Sequence, residues 1–419
     1  MLETLLRKTE KLIPRKLYKT AQPIYHWILS FAGAIRYGFP ARHIRIVGIT
    51  GTKGKTTTSE LVTSVLEAAG HKVAMANGIR FKIGEDVERN KYKMSMPGRF
   101  FVQNFIKRAV DAKCNWIVLE MTSEGAKQFR HKWIDLDAFI FTNLAPEHIE
   151  SHGGFEQYKA AKLSLAASLA NKKKETFLIA NRDDEATADF LKIEADHKAT
   201  FSLDDIRPFK ADHGVEMRLD GSTIYSKLHG AFNAKNILAA ITFAQAIGID
   251  TATIKKGIEA VEKVPGRAEQ IIAKPIEVYV DYAHTPDSLQ ALYESFPTQK
   301  KICVLGNTGG GRDTWKRPEM AKIADTYCDH IILTDEDPYD EDPMAIIDAM
   351  RPAITETPVD VIMDRRAAIN TALRKAKKGN VVLVTGKGTD PYIMRANGDK
   401  EPWSDAEVVR EEFESISTL

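Results

Sequence analysis

Apolar residues recur along this chain with two alternating periods. Short apolar runs, each followed by polar residues, occur at 44–49, 116–119 and 138–141. Longer segments with helical spacing of their apolar residues occur at 100–112, 158–170 and 234–247. The alternation predicts an α/β fold with a mostly parallel sheet, in which ligands gather at the carboxyl ends of the strands. From about 199 to 229 the pattern changes to that of antiparallel strands, with a turn at Asp220-Gly221.

The first strand runs into a glycine-rich loop that precedes a helix. Residues 48–57 read GITGTKGKTT, an arrangement in which backbone N–H groups and a helix N-terminus can hold phosphate. Lys55 is placed to reach the β and γ oxygens of a nucleotide, and the Thr56 hydroxyl to ligate Mg²⁺. The strict motif has glycine where this chain has Ile49, and the first glycine stands one residue earlier. We therefore predict a variant phosphate loop that binds ATP and Mg²⁺.

A second α/β unit is predicted to begin after Val264-Pro265-Gly266. Its strands are expected at 278–281, 302–306, 330–334 and 381–385, with helices between them. The predicted architecture is a central P-loop ATPase domain with a parallel sheet, followed by a smaller Rossmann-like α/β domain. The predicted bounds are 1–43 for a basic and apolar helical segment, 44–264 for the central domain and 265–419 for the C-terminal domain.

Composition narrows the class of protein. With 419 residues, 43% hydrophobic and 28% charged, the chain is typical of a globular protein of two or three domains. A formal charge of +2 gives no support for a nucleic-acid partner. Cys114, Cys303 and Cys328 lack CxxC spacing, so we expect no zinc site and predict buried thiols in a reducing compartment.

The first 36 residues are basic and then apolar. A helix packed on the body of the protein is the leading interpretation, and peripheral contact of residues 1–36 with an anionic membrane surface is the alternative. The small residues at 32–34 resemble a signal cleavage site, but export would separate the phosphate loop from ATP. We therefore expect the protein to be cytoplasmic.

Polar side chains follow the strands that neighbour the loop. Glu120 ends one strand and is a candidate Mg²⁺ ligand, because Mg²⁺ bound to a nucleotide uses one or two carboxylates. His148, His152 and Lys162 follow the next strand. Taken singly, either histidine is as readily a surface residue as a ligand, and Lys162 is a solvated helix lysine. The residues alone leave these alternatives open.

Eight short blocks of the chain form an ordered set: GTKGKTT at 51–57, LEMTSEG at 119–125, TNLAPEHIESHGGFEQYKAAK at 142–162, FNAKNILA at 232–239, VPGRAE at 264–269, DYAHTP at 281–286, GGGRDTWKRP at 309–318 and GKGTDPY at 386–392. Taken in this order, the blocks resemble those of the Mur ligases, the ATP-dependent amide ligases that build the peptidoglycan stem peptide. The resemblance covers about residues 44–400. It is greatest to the members that add the third, usually diamino, acid to UDP-MurNAc-dipeptide. It implies phosphoryl transfer from ATP to a carboxylate, followed by attack of an amine on the acyl phosphate.

The resemblance also implies roles for individual residues. Residues implied to bind ATP are Gly51, Thr52, Gly54, Lys55, Thr56, Thr57, Asn233, Asn236, Arg267, Asp281 and Lys316. Residues implied to hold Mg²⁺ are Thr56, Glu120, His148 and Lys162, the last as a carbamate. Residues implied to take part in catalysis are Lys55, His148, Lys162 and Arg312. Residues implied at the amino-acid site are Asp337, Asp390 and Arg312.

Departures from the family pattern bear on the substrates. The family's first domain, which grips uridine diphosphate, is expected to be missing, because residues 1–43 are too few to form it. Tyr339 stands where diaminopimelate-using members carry an arginine, while Asp337 and Asp390 offer carboxylates to a distal ammonium. This charge pattern predicts a preference for lysine or a similar side chain over diaminopimelate, unless Arg312 or Arg365 folds into the pocket.

The leading prediction is a cytoplasmic, monomeric ligase that adds an amino acid, in particular a diamino acid, to the carboxylate of a muramyl peptide. One alternative is a related ligase that acts on another carboxylate acceptor, such as a lipid-linked precursor. A second alternative is an ATP-binding subunit that requires a partner. The cysteine-rich zinc insert of such subunits is missing from the sequence, which counts against that alternative.

Overall fold

The computed structural model describes residues 15–147, 152–169, 175–311 and 313–417, with side chains described from residue 22 to 416 within these ranges. Two predicted site residues, His148 and Arg312, lie outside the described residues. Within the described ranges, no helix has both the length and the apolar character needed to cross a membrane.

The first unit is built on an eight-stranded sheet. Its strands are β1 (Arg45–Thr50), β2 (Val73–Ala76), β3 (Arg80–Ile83), β4 (Asp86–Arg89), β5 (Trp116–Glu120), β6 (Ala138–Phe141), β7 (Phe177–Asn181) and β8 (His197–Phe201). Their order in the sheet is β4-β3-β2-β5-β1-β6-β7-β8. Six neighbouring strands, β2, β5, β1, β6, β7 and β8, run parallel to one another. β3 pairs antiparallel with β2, and β4 pairs antiparallel with β3. Since β1 lies between β5 and β6, the loop after β1 opens between Glu120 and Thr142.

Helices cover both faces of this sheet. They are α1 (Arg15–Arg36), α2 (Lys55–Ala68), α3 (Arg99–Asp111), α4 (Ser123–Lys127), α5 (Phe155–Ala166), α6 (Thr187–Phe190), α7 (Ala231–Ala246) and α8 (Thr251–Glu259). On one face α2, α7 and α8 share a core with Val62, Ile237 and Ile254, all fully buried. On the other face α3 and α5 pack with Phe105 and Leu165 inside. A hairpin of β9 (Val215–Leu219) and β10 (Ser222–Ser226) precedes α7.

The second unit is a six-stranded sheet in the order β11-β12-β16-β13-β14-β15, in which β11 alone is antiparallel. Its strands are β11 (Glu269–Ile272), β12 (Glu277–Asp281), β13 (Lys301–Leu305), β14 (His330–Leu333), β15 (Val359–Val361) and β16 (Val381–Thr385). Its helices are α9 (Pro286–Glu294), α10 (Lys316–Tyr327), α11 (Pro343–Asp348), α12 (Arg365–Lys375) and α13 (Asp405–Ser417). A short pair, β17 (Tyr392–Met394) and β18 (Lys400–Pro402), follows β16.

The predicted α/β fold class, with a parallel P-loop sheet and a smaller second α/β unit, is confirmed. Two details of the pattern were misread. The segment 197–201 is a parallel strand at the sheet edge, so only the hairpin around Asp220-Gly221 is antiparallel. The strands β2, β3 and β4 were not predicted, because each has only four residues. β2 is buried throughout and β4 is exposed throughout, so neither of these two shows an alternating period.

The expectation of three free thiols is wrong for two of them. Cys303 in β13 and Cys328 after α10 form a disulfide, with their Cα atoms 6.2 Å apart. Cys114 is the free and buried cysteine. The pairing depends on β13 and the end of α10 being neighbours in the sheet layer, which cysteine spacing along the chain does not reveal.

The N-terminal helix α1 packs on the first unit, as the leading interpretation expected. Its Trp27 and Phe31 rings lie 5.8 and 5.0 Å from the ring of Trp133. The helix is only partly covered: Ser30 and Ala34 are buried, whereas Ile24 and Ile28 are 64% and 53% exposed. α1 therefore buries one side and presents an apolar side to solvent.

Candidate active site

The loop between β1 and α2 is shaped by close backbone approach. Gly54 adopts a left-handed φ of 83° directly before α2, and a Cβ at this position would lie 2.2 Å from Asn236 Oδ1. Only glycine fits there, because the Asn236 side chain of α7 lies against the loop backbone. The Lys55 ammonium folds back and donates to the carbonyls of Gly51 and Thr52 at 2.9 and 2.8 Å. Burial lowers the pKa of Lys55, and the carboxylates of Glu120 and Glu147 oppose that effect.

Thr56 and Glu120 meet at the start of α2. The Thr56 hydroxyl donates to Glu120 Oε2 at 2.8 Å, and the Gly78 N–H donates to the same oxygen at 3.0 Å. Ser95 Oγ donates to Glu120 Oε1 at 2.7 Å. A hydroxyl and a single carboxylate side by side suit Mg²⁺ that draws its other ligands from phosphate and water. In the part of the chain that the structure describes, no group of three or more His, Cys, Asp or Glu side chains could hold a metal.

Lys162 reaches the same loop from α5. Its Nζ donates to the Gly51 carbonyl at 2.7 Å and lies 4.7 Å from the centre of the Tyr158 ring. Lys162 is 2% exposed, so it is not the solvated helix lysine that the sequence alone allowed. Burial, and then the nearby Lys55 ammonium, lower the pKa of Lys162 well below its ordinary value. A lowered pKa favours the neutral amine, which is the form that can act as a nucleophile.

A chain of polar contacts crosses from the loop to the second unit. Glu147 Oε1 accepts from Lys53 Nζ at 2.9 Å and contacts His284 Nε2 at 3.0 Å. Lys316 Nζ donates to the His284 carbonyl at 3.1 Å. Burial lowers the pKa of His284 to about 4, so its ring is neutral at neutral pH. The sequence did not indicate Lys53 or His284, although both lie within blocks that it singled out.

The residues predicted for the nucleotide surround a cleft between the two units. The Asn236 amide donates to Asn233 Oδ1 at 3.0 Å on α7. The Asp281 carboxylate accepts from the N–H groups of Ala268 and Ala283, each at 2.6 Å, and burial raises its pKa. The Arg267 guanidinium lies 4.6 Å from the centre of the Tyr282 ring.

The cleft has a volume of about 520 Å³, within the range of roughly 300–1,000 Å³ typical of small-molecule sites. The predicted residues that line it are Thr52, Gly54, Lys55, Thr56, Thr57, Glu120, Asn236, Arg267 and Asp281. The predicted residues that are not part of this lining are Gly51, Asn233, Lys162 and Lys316. The predicted nucleotide residues of both units thus gather around one cleft.

The predicted amino-acid residues lie at the ends of β14 and β16. Asp337 Oδ1 accepts from Lys387 Nζ at 2.7 Å, and Asp337 Oδ2 accepts from Lys93 Nζ at 3.0 Å. Asp390 Oδ2 lies 2.7 Å from Lys93 Nζ. The two carboxylates are therefore paired with lysines, whereas the sequence had offered them to a distal ammonium. Neither lysine was assigned a role from the sequence.

Arg365 does not fold into this pocket. Its Nε and Nη2 both donate to the Asp405 carboxylate at 2.8 Å, and its side chain is 1% exposed. It also donates to the carbonyls of Asp335 and Thr385 at 3.2 and 2.8 Å. Arg365 therefore braces the strand ends that carry the pocket rather than facing a ligand.

A phosphate loop on a parallel sheet, facing a second α/β unit across a cleft, defines a nucleotide-binding protein of the P-loop class. The chain belongs to the Mur ligase family, a family of ATP-dependent, ADP-forming amide ligases. Residues 49–244 match the Mur ligase middle domain, and residues 266–388 match the Mur ligase glutamate ligase domain. The family resemblance predicted from the sequence is thereby confirmed.

Two similar proteins share one name. A UDP-N-acetylmuramoyl-L-alanyl-D-glutamate–2,6-diaminopimelate ligase of Syntrophomonas wolfei is 34% identical over 87% of this chain and 78% of its own length. The Bacillus cereus protein of the same name is 33% identical over 90% of this chain and 79% of its own length.

Solved structures agree on the fold. A structure of a ligase with that name superposes with a TM-score of 0.62 at 27% identity, over 89% of this chain and 79% of that one. Mycobacterium tuberculosis folylpolyglutamate synthase superposes with a TM-score of 0.72 over 95% of this chain and 97% of its own. At 16% identity, the latter likeness concerns the fold alone.

Proposed function

We propose that this protein is an ATP-dependent ligase that joins a diamino acid to the terminal carboxylate of a UDP-MurNAc-peptide in peptidoglycan precursor synthesis. The observation that carries the proposal is the meeting of Thr56, Glu120 and Lys162 at one phosphate loop. The names of the relatives at 34% and 33% identity supply the substrate class. We also propose that the enzyme acts in the cytoplasm, because ATP is its second substrate, and that it is a monomer.

The chemistry proceeds in two transfers. A carboxylate oxygen of the acceptor attacks the γ-phosphorus of ATP, ADP leaves, and an acyl phosphate forms. The amine of the incoming amino acid then attacks the acyl carbon, loses a proton, and phosphate leaves as the amide forms. Positioning and charge compensation do most of this work. Lys55, Arg267 and Lys316 are the cations placed around the cleft for the phosphates.

Thr56 and Glu120 are the proposed holders of Mg²⁺, which would neutralise phosphate charge when bound. Lys162 is proposed to carry a carbamate, formed when its neutral amine attacks carbon dioxide and loses a proton. The carbamate would turn a buried cation into an anion beside the metal, where an ammonium would be repelled. His148 and Arg312 keep the roles implied by the family, as proposals on positions outside the described residues.

The domain bounds 1–43, 44–264 and 265–419 are also proposed. The two sheets agree with a division near Pro265, since β1–β8 form one sheet and β11–β16 the other. Limited proteolysis that cuts first near residue 265 would support this division, and a first cut within either sheet would oppose it.

The acceptor and the amino acid can be tested together. The protein is incubated with ATP, Mg²⁺, UDP-MurNAc-dipeptide and a mixture of amino acids, and the products are analysed by mass spectrometry. We expect ADP together with a product heavier than the acceptor by one diamino acid residue, and neither with Lys55→Ala. ATP turnover without such a product would reject the proposed acceptor. Turnover that appears only when a cell extract is added would favour a subunit that needs a partner.

A second candidate is a ligase that acts on a lipid-linked carboxylate at a membrane surface. It is favoured by the open side of α1, where Ile24, Ile28 and Ile35 are 64%, 53% and 55% exposed. Flotation with anionic phosphatidylglycerol vesicles tests it, and Ile24→Glu with Ile28→Glu should abolish any binding. Equal recovery of both proteins away from the vesicles would reject membrane contact through residues 1–36.

A further inference from the structure

The loop between β4 and α3 sends a lysine of the first unit into the second. Lys93 Nζ lies 3.0 Å from Asp337 Oδ2 and 2.7 Å from Asp390 Oδ2. Arg89, the last residue of β4, donates to the carbonyl of Thr389 at 3.2 Å. Two cations of the first unit therefore contact the residues that follow β14 and β16, where the amino-acid site is proposed.

Within this cluster Asp337 is engaged on both oxygens. Its Oδ1 accepts from Lys387 Nζ and from the Met394 N–H, each at 2.7 Å, while its Oδ2 accepts from Lys93. The side chains of Asp337 and Lys387 are 7% and 1% exposed, against 15% for Asp390 and 18% for Lys93. A ligand that approaches this cluster from solvent therefore meets Lys93 and Asp390 first.

The cluster is electrically balanced. Two carboxylates and two ammonium groups lie within hydrogen-bond or ion-pair distance of one another. Burial lowers the pKa of Lys93, but the carboxylates of Asp390 and Asp337 outweigh this and raise it above its ordinary value. A side chain that ends in a lone ammonium would add a positive charge beside Lys93. A side chain that ends in both an ammonium and a carboxylate adds none and can pair with both signs.

We infer that Lys93 is a specificity-determining residue of the proposed amino-acid site, donating to the distal carboxylate of a zwitterionic diamino acid while Asp390 accepts from its distal ammonium. The inference rests on the proposed function. An ammonium has three N–H groups, and within the described residues two of those of Lys93 are directed at Asp337 and Asp390. One is left for the ligand.

Lys93 thereby pairs with the distal carboxylate, the role of the arginine that diaminopimelate-using members carry at the position of Tyr339. The sequence pattern had predicted a preference for lysine by treating Asp337 and Asp390 as free carboxylates. Their pairing reverses that expectation, so diaminopimelate is preferred to lysine. The sequence alone did not reveal the pairing of Lys93 with Asp337, because the two residues lie 244 positions apart.

The test compares kcat/KM for meso-diaminopimelate and L-lysine, with ATP, Mg²⁺ and UDP-MurNAc-dipeptide at saturation. The wild type should favour diaminopimelate by about tenfold or more, the effect of one charged hydrogen bond. Lys93→Met keeps the length but removes the charge, and should lower the ratio by about tenfold, mainly through KM for diaminopimelate. Lys93→Arg should keep the preference. Lys91→Met, an exposed lysine of the same loop, is the matched control and should leave the ratio unchanged.

The ratio of the two kcat/KM values is independent of the fraction of folded enzyme. A partly unfolded variant therefore still gives a valid measure of specificity. A wild-type preference for lysine, or an unchanged ratio in Lys93→Met, overturns the inference while the ligase activity stands. An equal loss with both amino acids also overturns it and means that Lys93 only ties the two units together. If the wild type joins neither amino acid to the acceptor, the proposed function itself fails, and the inference fails with it.

Discussion

Breaking the buried ion pair of Arg365 and Asp405 should strongly destabilise the second unit. Two parallel hydrogen bonds of 2.8 Å join the guanidinium to the carboxylate, and the two side chains are 1% and 0% exposed. Trp403 Nε1 donates to the same carboxylate at 2.7 Å. Because Asp405 begins α13 and Arg365 begins α12, the pair joins both helices to the ends of β14 and β16.

Replacing Asp405 by alanine leaves the Arg365 charge buried without its counter-ion. Removing one partner of a buried, hydrogen-bonded ion pair costs about 3–5 kcal/mol. For a unit of roughly 150 residues, each kcal/mol lowers the melting temperature by about 2–4 °C, so we expect a decrease of about 6–20 °C. Asp405→Asn keeps the volume and one acceptor oxygen, and its effect should lie between those of the wild type and Asp405→Ala.

The assay is differential scanning calorimetry of the full chain, followed by hydrogen exchange to assign the affected transition to α12 and α13. Glu411→Gln is the matched control, since it removes a partner of Arg366 in an ion pair that is 46% and 59% exposed. An exposed pair contributes about 0–1 kcal/mol, so this control should barely move the transition. A decrease for Asp405→Ala no larger than for Glu411→Gln would refute the reasoning.

Three further predictions concern the loop and the effect of pH. Lys55→Ala should lower ATP turnover by at least about a hundredfold with an unchanged circular dichroism spectrum, because the γ-phosphate loses its cation; near wild-type turnover in a folded variant contradicts the phosphate-loop assignment. Lys162→Ala should be nearly inactive and partly restored by a short carboxylic acid that replaces the carbamate, and full activity without the acid would refute the carbamate. Burial lowers the pKa of His131 to about 4, below the ordinary value of about 6.5. The unfolded chain therefore binds more protons between these pH values, and the free energy of unfolding should fall as pH decreases from about 6.5 to about 4. His131→Phe should flatten this part of a urea-denaturation series, and an unchanged slope would count against the burial argument.

The phosphate loop was predictable because its chemistry is local. Glycines, Lys55 and Thr56 stand within a few positions of one another, and the apolar run before them and the amphipathic pattern after them place the loop between a strand and a helix. Glu120 was predictable for a related reason, since parallel strands end at the same edge of a sheet. The contact of Glu120 with Thr56 depends on β5 lying beside β1, which the structure shows.

The charge of the amino-acid pocket was decided by tertiary structure. Asp337 and Asp390 are visible in the sequence as acids, but whether they are free depends on Lys387 and on Lys93, which lies in the loop after β4 of the first unit. The same holds for Arg365, whose exclusion from the pocket depends on Asp405 forty positions away. The sequence by itself thus determined the loop, the strand ends and the family. The folded chain decided which charges are paired, because ion pairing follows distance in space, and residues far apart in the chain become neighbours only when the sheets and helices pack.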